Sequence, residues 1–144
     1  MIRRFYIAGP DLAIRYYDEL QKRLQMEWPE FPRIDTAEQT VPNPLVALTL
    51  SNALAGGLAF IAAKSPLKDG LAIWINAVLV EPEYRREGVG SQLIEAAQQA
   101  ASRAGEPFLY ALTEVPELYS KLGWSILNNT GGDFVMTWDA RGSE

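Results

Sequence analysis

Six residues carry the clearest chemical signal in this sequence: Arg85-Arg86-Glu87-Gly88-Val89-Gly90. They follow an apolar run that breaks at Pro82 and precede a stretch of helical periodicity, so both glycines fall where a strand gives way to a helix. The first turn of a helix has unpaired N–H groups and the positive end of the dipole. Glycine at 88 and 90 removes side chains that would hold an anion off that backbone, and Arg85 and Arg86 add positive charge beside it. The local physics predicts a phosphate cradle; a tight turn with a packing glycine and a solvated charge cluster is the bland alternative. The loop is neither a Walker loop, since no Gly-Lys-Ser/Thr follows, nor a Rossmann fingerprint, since the three-glycine spacing is absent. Composition narrows the remaining chemistry. The chain has no histidine and no cysteine. Imidazole bases, thiolate nucleophiles, disulfides and Cys-rich zinc sites are therefore excluded. Acid–base work falls to carboxylates, tyrosine, lysine, backbone or water.

The segment resembles the GNAT superfamily of acyl-CoA-dependent N-acetyltransferases, whose signature is Arg or Gln, two residues, Gly, one residue, then Gly or Ala. Two further segments are similar to that family: "LVEPEYR" before the loop, and "LYSKLGW" downstream. The order of elements matches over nearly the whole chain. The resemblance implies an α/β (α+β mixed sheet) fold, a single GNAT-like domain over residues 1–144. Its central sheet would have about seven strands flanked by helices, with a splayed fourth and fifth strand pair. It also implies acetyl-CoA as co-substrate and no metal. Backbone N–H groups of Arg86, Glu87, Gly88, Val89, Gly90 and Ser91, with Arg85 beside them, would hold the pyrophosphate. Pantetheine would lie along the fourth strand near Val78, Leu79 and Val80, where a bulge would open the slot. Backbone N–H groups near Leu79 or Val80 would polarise the thioester carbonyl, and Tyr119 would give a proton to the departing sulfur. A phenol with a reference pKa of about 10 is neutral near pH 7 and can donate; packing of a short helix on the sheet is the plainer role for Tyr119.

The base is open. Some family members carry a Glu in the fourth strand, and the matching position here is Trp74, which cannot take a proton. Asn76 can orient a water or the substrate, or be a buried amide satisfied by backbone. Asp35, Glu38 or Glu114 could act through water, or stand as solvated charges; an amine arriving neutral needs only a water relay. Trp28, Phe31, Asp35, Glu38 and Trp74 mark the acceptor region, since aromatics with carboxylates suit a cationic amine. For Trp28, core packing is the expectation. The predicted reaction is acetyl transfer from acetyl-CoA to a primary amine of a small molecule. A protein N-terminus or lysine is the runner-up acceptor, and a catalytically silent CoA-binding or interaction module is the reading from another class.

The elements that must position these residues are readable from periodicity. Residues 2–8 suit a short strand, and "GPDLAIRYYDELQKRLQMEW" a helix with Ala13, Tyr16, Leu20, Leu24 and Trp28 on one stripe. Four prolines between 29 and 44 predict a long irregular loop, with room for a short helix near Thr36–Gln39. "LVALTL" and "LAGGLAFIAA" read as strands joined at Ser51–Asn52, and "LAIWINAVLV" as a central strand buried on both faces. A helix from about Gly88 to Ala104 buries Val89, Leu93, Ala96, Ala97, Ala100 and Ala104. A strand in "PFLYALT", a short helix in "PELYSKLG" and a hairpin around "TGGD" close the chain. At 144 residues and 48% hydrophobic, this suits one domain with a single core. A net charge of −5 with no basic stripe argues against nucleic acid. No apolar segment is long enough to span a bilayer, and the start lacks the h-region of a signal peptide. A cytoplasmic protein without a membrane partner is expected, and a homodimer stays open.

Overall fold

The computed structural model describes residues 4–34 and 41–141. The elements are β1 (Phe5–Ile7), α1 (Pro10–Ala13), a 3-10 turn (Ile14–Tyr16), α2 (Tyr17–Glu27), β2 (Leu45–Thr49), β3 (Leu54–Lys64) and β4 (Leu71–Val80). A 3-10 turn (Pro82–Tyr84), α3 (Val89–Arg103), β5 (Phe108–Thr113), α4 (Pro116–Ser120), β6 (Ser125–Thr130) and β7 (Asp133–Asp139) follow. One seven-stranded sheet runs β1-β2-β3-β4-β5-β7-β6. Every neighbouring pair is antiparallel except β4 and β5, which are parallel.

Helices cover both faces. On one, α3 and α4 seal a core of Phe5, Leu58, Phe60, Ile73, Ile75, Leu93, Ile94, Leu109, Tyr119, Trp124 and Met136. On the other, α2 sets the fully buried Leu20 and Leu24 against Val46, Leu48, Ala59, Ala77 and Leu79. Gly57 lets α2 come this close: a Cβ there would lie 2.4 Å from Leu20 Cδ1.

The first helix departs from expectation. It is interrupted at Tyr16, whose φ of −106° and ψ of 0° break the regular turn. The Tyr16 and Tyr17 hydroxyls there donate to the carbonyls of Asn52 (2.7 Å) and Pro44 (3.0 Å). The apolar stripe ends at Leu24. Trp28 lies beyond the helix end and is 45% exposed, so its expected core role is wrong. Helix α3 stops at Arg103, and its buried stripe is Val89, Leu93, Ile94, Ala97 and Ala101; Ala104 is exposed, and Ala96 and Ala100 are only half-buried. Its end is a Schellman motif, with Glu106 N–H bonded to the Ala101 carbonyl, Gly105 N–H to Ser102, and Gly105 at φ +79°. The expected short helix at Thr36–Gln39 lies outside the described residues.

Strand β4 is not buried evenly on both faces, because it carries one residue too many. Its register against β3 pairs Ala77 with Ala59 and Ile75 with Phe60, which leaves Asn76 as a bulge. Ile73 and Ile75 face the α3 core; past the bulge Val78 and Val80 take that face, while Ala77 and Leu79 turn to α2. Asn76 is therefore exposed, and the buried-amide reading of it fails.

Candidate active site

The glycine loop presents an open helix end. Gly88 caps α3 in the left-handed region, φ +89° and ψ 9°, and no side chain bonds to the first turn. The first intrahelical bond runs from Gln92 N–H to the Gly88 carbonyl at 3.0 Å, so the amides before it point outward. A Cβ at Gly88 would meet nothing within 4 Å, and one at Gly90 would make only ordinary contact with Val80 (3.7 Å) and Leu118 of α4 (3.9 Å). The space that side chains would fill is empty, as close approach of a phosphate requires. Arg85 and Arg86 are exposed, Arg86 holding a φ of +68° that non-glycine residues rarely adopt. Arg85 also donates from Nε to the Val80 carbonyl at 3.2 Å. Glu87, the one anion in the loop, is turned to Arg4 at 3.0 Å. Val89 is core rather than surface, 1% exposed, and Ser91 is half-buried on the first turn.

Beside this loop the sheet opens. β4 and β5 pair only at Trp74 with Tyr110 and Ile75 with Ala111. The next five residues of β4 have no partner on the β5 side, and the bulge at Asn76 begins that parting. Glu81 N–H bonds to the Ala55 carbonyl on β3. By strand alternation the polar groups of Leu79 also face β3. The Leu79 carbonyl lies only 2.3 Å from where a Cβ on Gly56 would sit, which fixes its direction. The expected use of the Leu79 amide is thereby corrected. The backbone groups that face the slot belong to Val78 and Val80, the latter already accepting from Arg85.

Tyr119 sits on α4, 5% exposed, within the α3-side core. Its placement follows from the local sequence. Gly123 at φ +93° ends the helix in a second Schellman motif, with Trp124 N–H on the Tyr119 carbonyl (3.2 Å) and Gly123 N–H on Ser120 (3.1 Å). The Trp124 ring then meets Tyr119 edge-on at 5.0 Å, and its Nε1 donates to Gln98 Oε1 at 2.9 Å. Burial pushes the Tyr119 phenol up to about 12. Its hydroxyl makes no hydrogen bond among the described residues, where no fully buried side-chain polar atom lacks a partner; it therefore opens to space rather than ending in the core.

On the α2 face, Trp74 is half-buried, its ring meeting Tyr110 at 5.3 Å and its Nε1 donating to the Lys64 carbonyl at 3.2 Å. Phe31 packs against the α2 core, and Glu114 is exposed just past β5. Asp35 and Glu38 lie outside the described residues. Several neighbours were not anticipated. Gly56 is one, although a Gly-Gly pair inside a strand signals close backbone approach. Another is the two-pronged pair of Arg23 with Glu81, which ties α2 to the end of β4 through Nε at 2.9 and 2.8 Å. Leu118 at the mouth of the loop and Tyr110 beside Trp74 complete the set. A cavity of about 1130 Å3 lies elsewhere, between β1, residues 42–45 and the outer flank of α3, and is lined by none of Trp74, Leu79, Gly88 or Tyr119.

The family model described as "Acetyltransferase (GNAT) domain" matches residues 45–126. No curated protein sequence matches significantly. Among solved structures, an aminoglycoside 6'-acetyltransferase type Ii is 21% identical, covering 96% of this chain and 99% of its own, with a TM-score of 0.65. The putative acetyltransferase yncA from Salmonella typhimurium, solved with its cofactor acetyl-CoA, is 18% identical over 97% and 96% with a TM-score of 0.66. An Arabidopsis thaliana protein in complex with the bisubstrate analogue CoA-Ac-MVNAL is 17% identical over 94% and 99%, at 0.60. At these identities the likeness is one of fold, and it extends over nearly the whole chain.

Proposed function

Because this chain belongs to the GNAT acetyltransferase family, we propose that it transfers an acetyl group from acetyl-CoA to a small primary amine. The observation that carries the reading is the conjunction of an uncapped helix end at Gly88 with the parting of β4 from β5 past Ile75. The amides of the α3 first turn, with Arg85 and Arg86, would bind the pyrophosphate. Val78 and Val80 would pair with pantetheine, and a slot-facing N–H of one of them would stabilise the oxyanion.

The amine nitrogen attacks the thioester carbonyl carbon, the C–S bond breaks, the amine gives up a proton and the sulfur gains one. Tyr119 serves the sulfur, with a limit set by its environment. A phenol near 12 is a weaker acid than a thiol near 8.5 by roughly three units, so full proton transfer to the thiolate is uphill by about 4–5 kcal/mol. Tyr119 therefore acts as a hydrogen-bond donor to the developing thiolate, and the proton that finally rests on sulfur comes from the amine through water. No base is needed at Trp74. Exposed Glu114 stands at the β5 exit, where it can draw an ammonium in.

The test is release of CoA thiol with formation of N-acetyl product across a panel of primary amines, with CoA affinity measured by calorimetry. Turnover dependent on both Tyr119 and the glycine loop supports the reading. CoA binding without turnover of any amine would leave a binding module, and absence of CoA binding would sink the proposal.

A further inference from the structure

The slot has two sides, and they are not alike. The helix end that takes the phosphates and the buried Tyr119 both belong to the α3–α4 side. With the α3–α4 side taken up by the cofactor's phosphates and by Tyr119 at the sulfur, the face left to the acceptor is the opposite one. There, the core under α2 draws its strand residues from β2, β3 and β4. Beyond β4, among the described residues, that face is a surface of side chains. At the foot of the opening it is aromatic: Trp74 against Tyr110 at 5.3 Å, and Tyr110 stacked with Phe108 at 6.2 Å. Leu112, one step up β5 on the same face, is 57% exposed, and Ile61 on β3 is 38% exposed. Tyr110 is itself 2% exposed, so it backs the ring of Trp74 rather than meeting solvent. The bond from Trp74 Nε1 to Lys64 holds that ring in place.

Among the described residues, charge on this face is sparse. Asp139 is engaged by Arg141 at 3.0 Å, and the same guanidinium lies 4.9 Å over the Phe108 ring. The free carboxylates near the opening, Asp133 and Glu114, both lie at its upper end, beyond Leu112. A polycation needs carboxylates spaced along its length; the described residues of this surface offer them at one end and apolar rings at the other.

We propose that the acceptor is a monoamine with a planar apolar body, its nitrogen at the opening and its body on Trp74. This rests on the acetyl-transfer reading and narrows it. One face of a ring covered by Trp74 recovers part of the energy of full burial, on the order of tenfold in affinity.

The probes are 2-phenylethylamine, propylamine and spermidine, each assayed for kcat/KM with acetyl-CoA. Ligand-observed NMR of 2-phenylethylamine on the CoA-saturated protein provides a readout independent of turnover. The expected result is a preference of about tenfold or more for 2-phenylethylamine over both others. Trp74→Ala should bring the phenylethylamine-to-propylamine ratio close to one, Trp74→Phe should keep most of it, and the NMR signal should vanish in the Ala variant. Spermidine as the best substrate, or a ratio unmoved by Trp74→Ala, overturns the proposal. If no amine releases thiol, the transfer reading fails on its own. The NMR arm then decides this one: binding lost in Trp74→Ala supports it, and no binding to the wild-type protein refutes it.

Discussion

Gly56→Ala tests the link between sheet packing and catalysis. The new Cβ would lie 2.3 Å from the Leu79 carbonyl oxygen and 3.2 Å from Val89 Cγ1. Ordinary carbon–oxygen contact begins near 3.3 Å, so the carbonyl must retreat by about 1 Å. The Leu79 carbonyl and the Val80 N–H are two ends of one peptide plane. Tilting that plane to relieve the clash swings the slot-facing N–H by a comparable distance. Overpacking of this kind costs about 1–3 kcal/mol. At ~2.1 cal/mol/K per residue, unfolding of a 144-residue chain carries about 0.3 kcal/mol/K, so the melting temperature should fall by about 3–10 °C. A donor displaced by about 1 Å should lower kcat by about 10²-fold. Gly57→Ala is the control: it meets the end of the Leu20 side chain on the other face, so it should destabilise while sparing the slot. Melts and steady-state thiol release, run well below both transitions, separate the effects. A Gly56→Ala protein with wild-type melting and wild-type kcat would show that the Leu79–Val80 peptide does not set the slot.

Tyr119→Phe should lower kcat by roughly 10²-fold with little change in KM, the usual cost of losing one hydrogen-bond donor to developing negative charge, read by steady-state kinetics at saturating acetyl-CoA. The pH dependence of stability should also change. With its folded value raised to about 12 over an unfolded value near 10, Tyr119 stabilises fully below pH 10, and that contribution fades as pH rises from 10 to 12; wild-type stability should fall more steeply than that of Tyr119→Phe in this window by denaturant titration. Gly88→Glu with Gly90→Glu should abolish CoA binding by calorimetry while circular dichroism stays native, because the carboxylates occupy the phosphate space. Arg23→Met should destabilise by about 2 kcal/mol, because Glu81, only 15% exposed, loses its partner; adding Glu81→Met should recover most of the loss.

The order of strands and helices was readable because each is bounded by a proline, a glycine or a polar turn, as at Pro82, Gly105 and "TGGD". The glycine loop was readable for a related reason, since its chemistry depends on backbone freed of side chains. What escaped reading depends on phase. Four alanines in α3 and a fifth just after it give little contrast around the helix, so a stripe through Ala100 and Ala104 looked as good as the true one through Ile94 and Ala101. Trp28 continued a periodic pattern that the helix itself did not. The direction of the Leu79 carbonyl depends on which residue bulges, and a run of apolar residues on both sides of Asn76 does not declare it. Nothing in the sequence around Glu81 points to Arg23, 58 residues away, because only the fold brings the two together.

The extra residue at Asn76 bears on how such a site can arise and be lost. Most active-site features can be approached through a series of substitutions, each a graded change in size or charge. A bulge cannot, because it is a matter of chain length. Removing that one residue would leave Val78 and Val80 on the α3 face and Ala77 and Leu79 on the α2 face, as their register with β3 already sets them, but the strand would lose its kink and β4 could then run beside β5 without parting. The slot and the unbroken sheet are thus neighbours separated by a single codon, with no intermediate between them. Drift in the side chains around Asn76 can retune the acceptor while the opening survives, whereas one deletion would restore the ordinary sheet at a stroke.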